Sequence, residues 1–186
     1  MIRTLCILLA STFVSLSAAA QVVKLSTTEG EIRIQLDAEK APKSTANFLR
    51  YVKSGHYSGT VFHRVIDGFM IQGGGFDTAL KQKPTQAPIP LESRNGLNNV
   101  RGSIAMARTG DPNSATAQFY INVVDNPMLD AANSRDGLGY AVFGQVISGM
   151  DVVDKIRAVP TESRGMHANV PVKPIIVNKA TVEPQK

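Results

Sequence analysis

The segment from residue 62 to residue 74 constrains the fold of this chain most strongly. It reads FHRVIDGFMIQGG, two short runs joined by an Asp-Gly dipeptide, which tolerates the positive φ that a tight hairpin turn requires. Alternation along a strand predicts that Arg64 shares a face with Phe62 and lies opposite to His63. The segment therefore predicts a β-hairpin that carries a cation beside apolar side chains, an arrangement that calls for a functional explanation.

The first twenty residues have the pattern of a secretory signal peptide. Arg3 supplies a positive charge, residues 5–16 are apolar, and three alanines end the segment. The apolar run is shorter than the roughly 20 residues of a membrane span, and an uncleaved anchor is the alternative reading. We predict a signal peptide at residues 1–20 followed by a single domain at residues 21–186, with no stable membrane association after cleavage.

The composition of the exported part limits its chemistry. Cys6 is the only cysteine and lies in the predicted signal peptide, so the mature chain has no thiol chemistry and no disulfide, and must be stabilised by its core. Without Arg3, 19 basic residues stand against 15 acidic ones, and no run of five like charges occurs. This modest excess favours a solvated basic surface over nucleic-acid binding.

Short strands dominate the rest of the pattern. Helical spacing, with a proline in the first turn and a glycine beyond the end, predicts a helix over residues 41–54, and a second helix is predicted over 149–158. Residues 77–100 read as a long surface loop. The predicted strands cover residues 22–27, 31–36, 62–66, 69–74, 102–107, 118–124, 140–147 and 170–177. The absence of βαβ alternation favours a closed or nearly closed antiparallel barrel, although periodicity alone leaves a β-sandwich equally open.

Several separated blocks resemble the cyclophilin-type peptidyl-prolyl cis/trans isomerases. They are FHRVI (62–66), GFMIQGG (68–74), SIAMA (103–107), QFYI (118–121) and VFGQV (142–146). They occur in the family's order, and the resemblance extends from about residue 22 to residue 177. The segment DNPMLD at residues 125–130 is most similar to exported bacterial members, and together with the signal-peptide pattern it leads us to expect the protein in the periplasm.

The resemblance implies a fold, a reaction and a site. The implied fold is a closed eight-stranded antiparallel β-barrel capped by two α-helices, with a substrate groove on the outer wall. The implied activity is rotation about X-Pro peptide bonds of folding exported proteins, with Arg64 as the catalytic residue and no cofactor or metal. The implied substrate-binding residues are His63, Phe69, Met70, Gln72, Ala107, Arg108, Gln118, Tyr120, Met128, Leu129 and Tyr140. The expected partners are proline-containing polypeptides, and the expected state is a monomer.

Four of these residues depart from the commonest family pattern. Tyr120 stands where phenylalanine is usual, Met128 where many members carry tryptophan, Tyr140 where many carry histidine, and Arg108 in place of a frequent asparagine. Because Arg64 is retained, the resemblance still implies isomerase activity. Tight binding of the cyclic inhibitor cyclosporin loses its support, because an indole N–H donor is missing at position 128.

Other chemistries fit the sequence less well. The three histidines lack metal-ligand spacing with acidic partners, and the glycine run at residues 73–75 is followed by neither Lys-Ser/Thr nor a helix, so we interpret it as tight backbone geometry. No Gly-x-Ser-x-Gly motif occurs. The remaining alternative is a proline-binding chaperone or scaffold in which catalysis is incidental.

Overall fold

A computed structural model describes residues 21–184 of the 186-residue chain. The predicted signal peptide at residues 1–20 lies outside the described residues. The strands are β1 (Val22–Thr27), β2 (Gly30–Leu36), β3 (Thr60–Ile66), β4 (Met70–Asp77), β5 (Ser103–Met106), β6 (Phe119–Asn122), β7 (Val142–Ser148), β8 (Thr161–Arg164), β9 (His167–Pro171) and β10 (Ile176–Val182). The α-helices are α1 (Pro42–Lys53) and α2 (Met150–Arg157), and a short 3-10 helix covers Pro127–Leu129.

Eight of the strands close into an antiparallel barrel. Their order around the barrel is β1-β10-β3-β4-β6-β5-β7-β2, and β8 and β9 form a separate two-stranded sheet. Closure pairs every strand of the barrel on both sides and leaves no open sheet edge. The predicted eight-stranded antiparallel barrel with two helices is therefore confirmed, and the sandwich alternative is wrong.

The lumen of the barrel is a packed apolar core. On β2, Ile32, Ile34 and Leu36 are buried while the residues between them are exposed, the alternation expected of a strand with one face on the core. Aromatic rings fill the centre: the ring of Phe48 from α1 meets that of Phe119 from β6 edge-on at 5.5 Å. A filled lumen leaves the outer wall as the place for a ligand.

Helix α1 matches its predicted signals and has one feature that they did not indicate. Pro42 occupies the first turn, and Gly55 follows the helix with φ +72°, as predicted. The free N–H groups at the helix start are bound by a distant side chain: the Glu92 carboxylate accepts hydrogen bonds from the backbone of Lys43 at 3.0 Å and of Ser44 at 2.7 Å. This contact ties the irregular segment 77–100 to the helix.

The β3–β4 hairpin contains a bulge that breaks the predicted alternation. Phe62 pairs with Gly73 and Arg64 with Gln72, so β3 has one residue more than β4 over this stretch. Phe62 and Val65 both belong to the core inside the barrel, whereas Arg64 does not. The prediction that Phe62 and Arg64 share a face is therefore wrong, and the bulge is what turns Arg64 outward.

The C-terminal region also differs from its prediction. The single strand expected over residues 170–177 is two strands, because β9 ends at Pro171 and β10 begins at Ile176. The hairpin formed by β8 and β9 was not predicted, since most of its residues are polar and only Val170 and Pro171 are buried. This hairpin packs against β3, the strand that carries Arg64.

Candidate functional site

A second apolar cluster lies on the outer face of the barrel. Met70, Ala105, Tyr120 and Val142 form its buried centre, and all of them come from strands whose alternate residues fill the lumen. A strand that has apolar side chains on both faces normally has both faces covered. An apolar outer face that is left open therefore indicates a binding site. Beside this cluster is a groove of about 240 Å³.

Nine side chains line the groove, and all nine are among the predicted site residues: Arg64, Phe69, Met70, Gln72, Ala107, Arg108, Tyr120, Leu129 and Tyr140. Strand β4 supplies Met70 and Gln72, β6 supplies Tyr120, and the 3-10 helix supplies Leu129. The structure thus brings together residues separated by more than seventy positions in the chain.

Arg64 lies at one end of the groove, and among the residues that the structure describes only one long hydrogen bond orients its guanidinium. Its Nη1 donates a hydrogen bond to Gln72 Oε1 at 3.3 Å, near the upper limit of such bonds. Gln72 Nε2 in turn donates to Gln118 Oε1 at 2.9 Å. No ion pair within residues 21–184 involves Arg64. The guanidinium is therefore oriented by Gln72 while most of its donors stay available.

Arg108 is held in the opposite way. Its guanidinium donates to the carbonyl oxygen of Gly139 at 2.9 Å and of Thr109 at 3.0 Å, and it pairs with the Asp136 carboxylate. It also lies 4.6 Å from the ring centre of Tyr140, within the range of a cation–π contact. The hydrogen bond from Arg108 holds the pKa of Asp136 well below its usual range. With its side chain 3 % exposed, Arg108 builds the wall of the groove and offers no free charge.

Tyr120 forms the floor between these two ends. Its ring meets that of Tyr140 edge-on at 5.8 Å, and its hydroxyl donates to Asn99 Oδ1 at 2.7 Å. Burial raises the pKa of Tyr120, so the hydroxyl stays protonated. Because its partner Asn99 is buried, the hydroxyl points away from the groove. The ring of Tyr120 then presents an aromatic face to a ligand.

His63 lies outside the groove although it precedes Arg64 in the chain. It is 5 % exposed, and its ring packs at an inclined angle on that of Phe76, with 4.6 Å between the ring centres, and Phe76 in turn contacts His167 of β9. Burial, with a smaller contribution from His167, lowers the pKa of His63 to about 4. The neutral, enclosed imidazole therefore belongs to the packing between β3, β4 and β9 and not to the groove.

Gln118 and Met128 also stand apart from the residues that line the groove. Gln118 reaches the groove only through its hydrogen bond to Gln72, and the side chain of Met128 is 55 % exposed. Neither Asn99 nor Asp136 was predicted as part of the site. Both lie in polar loop sequence that gave no sign of their contacts.

The glycine run beside Gln72 has the tight geometry expected of it. Gly74 has φ +85°, and a Cβ at this position would lie 2.8 Å from the Tyr57 ring and 2.9 Å from the Phe119 ring. Any larger residue would collide with these core rings, so the run serves packing. Within residues 21–184, no three His, Cys, Asp or Glu side chains are grouped so that they could hold a metal ion. None of the helices in that range has the length and hydropathy needed to span a membrane.

Known proteins match this chain over nearly all of the residues that the structure describes. Residues 22–182 match the family model of the cyclophilin type peptidyl-prolyl cis-trans isomerases. A peptidyl-prolyl cis-trans isomerase of Acinetobacter baylyi is 55% identical, over 94% of this chain and 93% of its own. Peptidyl-prolyl cis-trans isomerase B of Escherichia coli is 53% identical, over 87% of this chain and 99% of its own.

Solved structures give the same result. A cyclophilin type peptidyl-prolyl cis-trans isomerase of Cryptosporidium parvum has a TM-score of 0.74 and 26% identity, and the match covers 90% of this chain and 99% of that one. The same protein solved in the presence of the dipeptide Ala-Pro matches with the same TM-score, over 89% of this chain and 100% of that one. The chain belongs to the cyclophilin-type family and is a peptidyl-prolyl cis/trans isomerase.

Proposed function

We propose that the outer groove binds an X-Pro segment of a polypeptide and that Arg64 catalyses rotation about its peptide bond. The ring of proline would lie on Tyr120, between Phe69, Met70 and Leu129. The related structure solved in the presence of Ala-Pro supports a short proline-containing peptide as the ligand. The groove, at about 240 Å³, has room for a small ring and is too small for a folded domain.

The reaction requires stabilisation of a twisted amide. Resonance in the C–N bond gives a rotation barrier of about 18–20 kcal/mol, while the cis and trans X-Pro forms differ by only about 0.5–1 kcal/mol. Uncatalysed exchange takes on the order of 10–100 s. The barrier falls if the enzyme favours the state in which the nitrogen lone pair is no longer delocalised, and this needs no covalent intermediate.

Arg64 has the chemistry for that task. A twisted amide nitrogen is pyramidal and accepts a hydrogen bond that the planar ground state cannot accept, and a guanidinium is a donor that stays charged at every working pH. An interaction made mainly in the transition state raises the rate constant rather than the affinity alone. The observation that carries the proposal is the position of Arg64 beside the apolar floor, with one long hydrogen bond to Gln72 and no ion pair among the described residues.

The apolar floor supplies what one hydrogen bond cannot. A 10⁵-fold acceleration corresponds to about 7 kcal/mol, whereas a hydrogen bond to a charged group contributes roughly 1.5–3 kcal/mol. Removal of the amide from water weakens its resonance and strengthens the contact with the guanidinium. Met70 and Tyr120, exposed by 2 % and 4 %, provide such a water-poor surface.

Relaxation of a peptide prepared with its Ala-Pro bond in cis tests this proposal. The protein is expected to accelerate the relaxation, and Arg64→Ala is expected to lower kcat/KM by about a hundredfold or more. Val100→Ala, a change at an exposed residue outside the groove, is the matched control and should match the unmodified protein. Equal acceleration by the Arg64→Ala variant would refute the catalytic role of Arg64.

We also propose that the protein acts in the periplasm on exported polypeptides, as a monomer. The signal-peptide pattern of residues 1–20 supports this location. N-terminal sequencing of protein recovered from the periplasmic fraction should begin at Gln21. Recovery of a chain that still begins at Met1 from the cytoplasm would contradict export.

A further inference from the structure

A cluster of buried amides lies directly behind the floor of the groove. It comprises Asn99, Asn122, Asn126 and the hydroxyl of Ser103, each no more than 1 % exposed. Buried polar side chains cost stability unless they are hydrogen-bonded, and in this cluster they bond to one another. Such a network fixes one arrangement of the elements that supply its members.

Asn99 is the hub of this network, because it uses both ends of its amide on different elements. Its Oδ1 accepts hydrogen bonds from the Tyr120 hydroxyl at 2.7 Å and from Asn122 Nδ2 at 3.2 Å. Its backbone N–H and its Nδ2 donate to Asp130 Oδ1 at 2.7 and 2.8 Å. Asn99 thus binds both Tyr120, the floor residue on β6, and Asp130, the residue directly after Leu129.

Asn126 extends the hub to the catalytic hairpin. Its backbone N–H donates to the carbonyl oxygen of Asn99 at 2.7 Å, and its Nδ2 donates to the carbonyl oxygen of Phe69 at 2.8 Å. It also donates to Asn122 Oδ1 at 2.8 Å. The floor, the Leu129 wall and the Phe69 wall are therefore connected through Asn99.

We propose that Asn99 is a positioning residue for the prolyl site: by binding the Tyr120 hydroxyl and the Asp130 carboxylate together, it sets the spacing between the floor and the Leu129 wall. This inference depends on the proposed function, because it takes the same groove as the proline site. It also explains why tyrosine at position 120 does not place a hydroxyl in an apolar pocket.

No other small residue could do the same work at position 99. An aspartate would lose the Nδ2 donor and place a second carboxylate against Asp130. A leucine or alanine would leave the Tyr120 hydroxyl without its acceptor and Asp130 Oδ1 with only the backbone N–H of residue 99. A buried group that loses its hydrogen-bond partner destabilises the arrangement that encloses it. Since the network contacts neither Arg64 nor Gln72, its loss should alter the fit of the prolyl ring and leave the catalytic arginine in place.

The test is a double-mutant cycle of Asn99→Ala and Tyr120→Phe, measured with an Ala-Pro tetrapeptide. Asn99→Ala is expected to raise KM by about tenfold with kcat within about twofold, because floor contacts hold ground state and transition state alike. Tyr120→Phe removes only the hydroxyl and is expected to raise KM by about threefold. In the Asn99→Ala background, Tyr120→Phe should add nothing, since the hydroxyl has already lost its acceptor. The dissociation constant of the Ala-Pro dipeptide, from NMR titration, should rise in parallel with KM.

Asn47→Ala is the matched control. Asn47 is equally buried at 2 % exposure, and its Nδ2 donates to the carbonyl oxygen of Thr116 at 2.6 Å from helix α1, outside the groove. It should lose stability without a change in KM. If Asn99→Ala does not fold, Tyr120→Phe alone decides. An unchanged KM in the variants, additive effects, or an equal change in Asn47→Ala would overturn the positioning role. Inactive unmodified protein would instead refute the proposed function.

Discussion

The two ends of the groove each carry an arginine, and the arginines are held in opposite ways. Arg108 is enclosed by two carbonyl oxygens, a carboxylate and an aromatic ring. Arg64 has one hydrogen bond of 3.3 Å to a neutral amide. The presence of a guanidinium in a groove therefore does not by itself decide its role. Its role depends on which of its N–H donors have no hydrogen-bond acceptor in the surrounding protein.

The contrast extends to the side chains around each arginine. At the Arg108 end, the rings of Tyr140 and Tyr120 meet edge-on, and the Tyr120 hydroxyl is hydrogen-bonded to Asn99 behind the floor. At the Arg64 end, the side chain has only one long hydrogen bond to the described part of the chain, whereas the strand that carries it is paired with β4 and has the buried ring of His63 packed on Phe76. A rigid frame with one adjustable donor suits a reaction in which the substrate turns while it stays bound.

The largest effect is expected from His63, which lies on the strand that carries Arg64. The pKa of an unfolded histidine is about 6.5, whereas burial lowers the pKa of His63 in the folded protein to about 4. The unfolded state therefore binds more protons in this window, and the free energy of unfolding should fall as the pH drops from 7 to 4, by about 3 kcal/mol. Urea denaturation of the unmodified protein and of the His63→Gln variant across that pH range measures the contribution of His63 to the fall in the free energy of unfolding. Identical pH profiles for the two proteins would contradict the assignment.

The next largest effect is expected from Arg64→Lys. Lysine keeps the charge but replaces the planar fork with a point charge on a flexible stem, so the donor geometry toward the amide nitrogen is lost. We expect kcat to fall about a hundredfold, while binding of the Ala-Pro dipeptide changes little. A lysine variant with nearly full kcat would show that charge alone is sufficient and would weaken the contrast between the two arginines.

A smaller effect is expected from Arg108→Met at the other end. Methionine keeps an apolar stem against Tyr140 but loses the bonds to Gly139 and Asp136. Because these contacts shape the wall and do not act on the reacting bond, KM should rise about tenfold with kcat within about twofold. A large fall in kcat in steady-state assays would mean that Arg108 also acts on the transition state.

The smallest effect is expected from Gln72→Ala. Gln72 orients Arg64 through one long bond and is itself bonded to Gln118, so its removal should cost about three- to fivefold in kcat/KM, the scale of a weak neutral hydrogen bond. The matched change Gln118→Ala, one step farther from Arg64, should cost less. The reverse order would show that Arg64 is not oriented through Gln72.

The sequence predicted the parts of this molecule that depend on local signals. Alternation, a proline at a helix start and the Asp-Gly turn located the helices, the opening hairpin and the β3–β4 hairpin. The resemblance to the cyclophilins implied all nine residues that line the groove. The bulge at Arg64 was missed because it depends on how β3 pairs with β4, which alternation along one strand does not reveal.

Long-range polar contacts were missed for the same reason. The capping of α1 by Glu92 and the hydrogen bonds of Asn99 join residues 21 to 49 positions apart, and Glu92 and Asn99 both lie in a stretch that reads as ordinary loop. The strand expected over residues 170–177 was wrong because its apolar residues serve two elements, the end of β9 and the start of β10.

The central claim is that Arg64 acts on the rotating bond and contributes little to binding. Exchange NMR of an Ala-Pro peptide, at concentrations that saturate the protein, measures interconversion on the enzyme separately from affinity. For Arg64→Ala we predict a dissociation constant within about threefold of the unmodified protein and an on-enzyme exchange rate at least about a hundredfold slower. Exchange that stays fast in the bound state, or that slows only because the peptide no longer binds, would contradict the account.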